Sequence, residues 1–114
     1  MRLRVYGMWS PDLQPPLEGE GLPPDLTDFD VFVQVSVEEV GKPGSEVFAF
    51  TVCSPSALTR IESGTFVTHT LVLERFSWEA IRSRLDKLLM HADSAATWGE
   101  AIERLSGELA YSDA

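Results

Sequence analysis

Cys53 is the residue whose type and position come nearest to reactive chemistry. It stands directly before Ser54-Pro55, a pair typical of a helix start, and a helix N-terminus can lower the pKa of a nearby thiol. His69 is the one plausible base for that thiol. The alternative is that Cys53 is a small apolar residue at a strand end and that His69 packs at the sheet surface. The residues therefore allow a small thiol-dependent hydrolase but do not require one.

Other catalytic and metal-binding patterns are missing from the sequence. A metal site needs clustered ligands at a recognisable spacing, and Cys53, His69 and His91 do not provide one. A glycine-rich phosphate loop and an ordered Ser/His/Asp set are also absent. We therefore expect no catalytic residue, no metal site and no cofactor, which favours a binding function.

Acidic residues dominate the first third of the chain. The net charge is −9, from 18 acidic and 9 basic residues. No basic residue lies between Val5 and Gly41, and the resulting field repels nucleic acid and anionic membranes while it attracts a basic protein. The alternative is that the acids only keep the protein in solution. The acids of this region are Asp12, Glu18, Glu20, Asp25, Asp28, Asp30, Glu38 and Glu39.

Much of this charge lies in residues 9–28, which we call the acidic loop. It contains five prolines, which lack an amide donor and fix φ, so an extended surface loop is predicted. Trp9 at its entrance suits an exposed binding anchor as well as a core position, and Phe32 beyond it is a second candidate anchor. The residues predicted to face a basic partner are Trp9, Glu18, Glu20, Asp25, Asp28, Asp30 and Phe32.

The elements that would position these residues are strands followed by helices. Alternation predicts strands at residues 1–8 and 29–38, and residues 46–53 should return beside the second of these as an antiparallel hairpin. Residues 65–74 are rich in β-branched and apolar side chains and are predicted to form another strand.

Helix starts are marked by Ser54, Ser77 and Thr97, each of which precedes a helical pattern as an N-cap. Trp78 and Trp98 begin the two longer helices and are predicted to anchor the core. Together the elements predict one α+β domain over residues 1–114. It should contain an antiparallel sheet of about four strands, two C-terminal helices packed on one face and a short helix between strands.

Three strings in a fixed order resemble the immunity protein 8 family of bacterial polymorphic toxin systems. They are Phe48-x-Phe50-x-Val52-Cys53-Ser54-Pro55, Arg75-Phe76-x-Trp78-x-x-Ile81, and Thr97-Trp98-x-Glu100 with Arg104-Leu105. The resemblance implies a small cytoplasmic protein without catalytic residues that binds and silences a cognate toxin.

The sequence as a whole therefore predicts an immunity protein that occludes its toxin through an acidic surface, the toxin being a basic domain such as a nuclease. A cytoplasmic location is expected because the single cysteine cannot form an internal disulfide and residues 1–7 lack the apolar run of a signal peptide. No stretch approaches the length of a transmembrane helix. The alternatives are the thiol hydrolase and a generic interaction subunit of another complex.

Overall fold

The fold is built on one five-stranded sheet in the computed structural model, which describes residues 1–112. The predicted domain, residues 1–114, therefore extends two residues beyond the described range. The strand order is β1-β2-β3-β4, and β5 also pairs with β3. The strands are β1 (Leu3–Trp9), β2 (Asp30–Glu39), β3 (Ser45–Cys53), β4 (Thr70–Val72) and β5 (Ala110–Ser112).

The hairpin of β2 and β3 is the longest pairing in the sheet, and it confirms the prediction from alternation. The two strands run antiparallel, with partners from Asp30 and Cys53 at one end to Glu38 and Ser45 at the other. Their turn uses Gly41 and Gly44, both with positive φ, a conformation that favours glycine. β1 pairs antiparallel with the other edge of β2.

The predicted strand at residues 65–74 is wrong for most of its length. Only Thr70–Val72 pair, and they run parallel to Thr51–Cys53 of β3. The sheet is therefore mixed, with one parallel pair that alternation did not reveal. β5, which was not predicted, pairs antiparallel with Val47–Ala49 of the same β3 edge. Three residues are too few to show a periodic pattern, so this strand left no sequence signal.

Three helices complete the predicted α+β class, which the structure confirms. They are α1 (Pro55–Leu58), α2 (Trp78–Met90) and α3 (Trp98–Leu105). The caps act as predicted, since the hydroxyls of Ser54, Ser77 and Thr97 accept hydrogen bonds from backbone amides in the first turns. Within the described residues, none of the helices is both long and apolar enough to cross a membrane.

The core lies between one face of the sheet and the two longer helices. Alternate valines of β2 pack with apolar side chains from β3, α2 and α3. Trp78 is 6% exposed and meets the ring of Phe76 edge-on, with the ring centroids 5.5 Å apart. Trp98 packs against the same core but is only half-buried. The core-anchor prediction therefore holds in full for Trp78 and in part for Trp98.

We expect Trp78→Ala to lower the free energy of unfolding by about 3 to 5 kcal/mol, because it removes a buried ring and leaves a cavity. Trp98→Ala is the matched control and should cost less, about 1 to 3 kcal/mol, because that ring is partly in solvent already. Urea unfolding followed by circular dichroism would measure both. Equal losses for the two variants would contradict the assignment of Trp78 as the main aromatic anchor.

Candidate functional site

The acidic loop is folded back on β1 and is not extended. Its first residue, Trp9, belongs to β1 and forms an isolated bridge with Leu17. The Ser10 amide donates to the Pro16 carbonyl at 2.8 Å, and the Glu18 amide donates to the Met8 carbonyl at 3.2 Å. These bonds close the first half of the loop into a compact turn at the end of β1, which gives its charged side chains defined positions.

Helix α2 holds the loop through two side chains. The indole Nε1 of Trp78 donates to the Gly21 carbonyl at 2.7 Å. One turn further along, Arg82 donates from Nε and Nη2 to the two carboxylate oxygens of Glu18, each at 2.7 Å. Glu18, as the hydrogen-bond acceptor, raises the pKa of Arg82. Gly21 fits this site because a Cβ there would lie 1.9 Å from the Pro15 carbonyl oxygen.

Two of the acids predicted to face a partner are already compensated within the chain. Glu18 is bound by Arg82, and Asp28 forms an ion pair with Arg60 at 2.7 Å. Asp28 also accepts a hydrogen bond from the Ser56 hydroxyl at 2.7 Å. The Ser56 hydroxyl, followed by Arg60, lowers the pKa of Asp28. These two carboxylates therefore contribute less to the outer field than the sequence suggested.

The other three predicted acids, Glu20, Asp25 and Asp30, are exposed. In the described part of the chain no lysine or arginine forms an ion pair with any of them. The Asp25 carboxylate accepts from the backbone amide of Thr27 at 2.9 Å and from its hydroxyl at 3.0 Å, and these bonds, in that order, lower the pKa of Asp25. The uncompensated charge of the predicted site lies on these three residues.

The predicted aromatic anchors lie together on the sheet face opposite the core, which we call the open face. Trp9 is half-buried there, and its Nε1 donates to Gln34 Oε1 at 2.9 Å. Phe32, two residues before Gln34 on β2, leaves 40% of its surface exposed. Asp30 is the next residue of β2 on this face by strand alternation. The structure thus brings Trp9, Phe32 and Asp30 to one face and leaves Glu20 and Asp25 on the loop.

A groove that the sequence did not reveal lies at the Asp30 end of the open face. Its volume is about 260 Å³, and we call it the Asp30 groove. Phe66, on one wall, is 97% exposed. The apolar and β-branched content of residues 65–74 predicts a strand, but residues 65–68 lie outside the sheet, which leaves Phe66 in solvent. The groove is lined by Asp30, Thr51, Cys53, Ala57, Ile61, residues 65–68 and Thr70.

A second cavity, of about 700 Å³, is lined by residues of α2, β4 and the segment that leads into β5. Its walls are mainly apolar, with Leu85 and Leu109 among them, and His69, Arg84 and Glu108 are its charged or titratable groups. The His69 backbone has a φ of 50°, and its Nε2 lies 2.9 Å from the Ser106 carbonyl oxygen. This contact links the start of β4 to the end of α3, which is a structural role for the histidine.

The thiol and the imidazole line different, adjoining cavities. Cys53 lines the Asp30 groove, whereas His69 lines the larger cavity. The Cys53 side chain is 3% exposed, and burial, with a smaller contribution from the Asp30 charge, raises the pKa of its thiol. A raised pKa keeps the thiol protonated at neutral pH, which is the opposite of an activated nucleophile. The geometry does not support thiol catalysis.

The searches of curated proteins and of solved structures returned no match to this chain. The family model of Immunity protein 8 matches residues 19–111. The matched region covers β2 to β4, the first two residues of β5, all three helices and the three uncompensated acids, whereas β1 with Trp9 precedes it. Since the match spans most of the chain, this protein belongs to the Immunity protein 8 family.

Proposed function

We propose that this protein binds a cognate toxin domain and neutralises it by occlusion, and that the toxin contacts the open face and the acidic loop. The observation that carries the proposal is the shared position of Trp9, Phe32 and Asp30 on the sheet face opposite the two longer helices, α2 and α3. Aromatic side chains beside uncompensated acids suit a protein interface better than a small-molecule site. We further propose that it acts in the cytoplasm, because Cys53, the single cysteine, is free.

The charge distribution supports a basic toxin surface, such as the cleft of a nuclease, as the partner. Glu20, Asp25 and Asp30 carry negative charge that no ion pair within residues 1–112 offsets. Such charge speeds the encounter with a basic protein and rejects acidic ones. The exposed ring of Phe32 would then be buried and would slow dissociation, since buried aromatic anchors dominate the energy of many interfaces.

The direct test is a rescue experiment with the toxin domain encoded beside this chain. Expressed alone the domain should kill the cell, and co-expression of this protein should restore growth. Phe32→Ala should weaken the rescue, because it removes the exposed anchor of the open face. Met90→Ala is the matched control, since Met90 is also exposed but lies at the end of α2. Failure of the wild-type chain to protect would refute the proposed function.

Charge steering gives a kinetic prediction. The double variant Glu20→Gln/Asp25→Asn should slow association with the toxin domain about three- to tenfold and flatten its salt dependence, with dissociation nearly unchanged. Asp86→Asn/Glu103→Gln is the control, because it removes the same amount of charge from the helices. Stopped-flow mixing at two ionic strengths would measure both. If the control slows association as much, total charge matters and the acidic loop is not the steering element.

The proposal leaves no chemical role for Cys53, and its reactivity is a separate check. The folded chain should react with a disulfide reagent at pH 7 about a hundredfold more slowly than the chain unfolded in urea, because burial shields the thiol from the reagent and its raised pKa leaves less thiolate. The rate should keep rising with pH beyond 9.0, the ordinary pKa of the group. A fast reaction that levels off below neutral pH would instead favour the thiol-dependent hydrolase.

A further inference from the structure

The Asp30 groove is already formed in the protein alone, at the Asp30 end of the open face. We propose that it receives one long basic side chain, an arginine or a lysine, of the toxin domain. This inference rests on the proposed function and identifies a point of recognition within it. It follows from the charge, the wall chemistry and the size of the groove.

Charge selects a cation. Asp30 is the one charged residue among those that line the groove, and no basic side chain of the described chain forms an ion pair with it. Arg60, which precedes the lining residue Ile61, is already bound to Asp28. An exposed carboxylate without an ion pair attracts a basic group of a partner and disfavours an acidic one.

The side chains that line the groove suit a lysine or arginine, which has a chain of methylene groups and a charged end. Ala57, Ile61 and Val67 are apolar and can cover the methylene groups of a basic side chain. Threonine hydroxyls that line the groove can accept hydrogen bonds from an ammonium or guanidinium group. The ring of Phe66, which is 97% exposed, offers a face on which a cation can stack. The hydroxyls belong to Thr51, Thr65, Thr68 and Thr70.

Size argues against a cofactor or a metal. The volume of about 260 Å³ lies below the roughly 300 to 1,000 Å³ of typical small-molecule pockets. A hard cation such as Ca²⁺ needs six or more oxygen ligands, commonly from several carboxylates. Residues 1–112 contain no group of three or more His, Cys, Asp or Glu side chains that could hold a metal ion. One inserted side chain fits these limits.

The test measures dissociation of the toxin domain used in the rescue experiment, carrying a substitution that removes its toxicity. Asp30→Asn and Phe66→Ala should each raise the dissociation rate at least about tenfold, because each removes one contact with the buried cation. Glu103→Gln and Met90→Ala are the matched controls, an exposed acid of α3 and an exposed apolar residue of α2, and should change that rate less than about twofold. Both groove side chains are exposed, so circular dichroism should show wild-type folding.

A scan of the toxin identifies the inserted residue. Each lysine and arginine of the toxin is replaced singly by methionine. For the residue that enters the groove, the replacement should speed dissociation from the wild-type chain but not from the Asp30→Asn variant. If the wild-type chain binds and protects but both groove variants dissociate at the wild-type rate, the groove inference is wrong and the proposed function stands. If the wild-type chain neither binds nor protects, the proposed function fails and the groove inference fails with it.

Discussion

The attachment of the acidic loop to α2 is the constraint on which the binding surface depends. Trp78 belongs to the core and also donates to the Gly21 carbonyl, so one side chain joins the packing of the domain to the shape of the loop. Arg82 adds a two-point bond to Glu18. An unattached segment of this length would lose much conformational entropy on binding. Because α2 binds the loop at Gly21 and Glu18, the remaining acids are carried on an ordered backbone.

Charge in the sequence is therefore not the same as charge at the surface. Glu18 forms an ion pair with Arg82, and Asp28 forms one with Arg60. Both pairs join residues that are far apart in the sequence. Ion pairs at or near the surface add little stability, so the main effect of these two pairs is on the position of the loop. Of the five acids predicted to face a partner, Glu20, Asp25 and Asp30 remain without an ion pair in the described residues, and Asp30 lies on the same face as the aromatic side chains.

Local signals in the sequence were sufficient for the hairpin, the helix caps and the burial of Trp78. These features depend on neighbours within a few residues or on a clear alternation such as that of Val31 to Val37. The parallel direction of β4 and the formation of β5 both depend on which distant segment pairs with the edge of β3. A local sequence pattern does not determine this pairing. The Asp30 groove was missed for a related reason. Residues 65–68 have strand-like composition, but the sheet pairs only from Thr70 onward, so Phe66 remains in solvent.

The shared edge of β3 has a consequence for biosynthesis. Val47–Ala49 obtain their second partner from Ala110–Ser112, more than sixty residues later in the chain. Until those residues have left the ribosome, this edge keeps unpaired backbone groups beside the apolar side chain of Phe48. A nascent chain that stalls before Ala110 would expose the unpaired edge of β3, which could pair with strands of other chains. The sheet is therefore completed only after its last strand has left the ribosome.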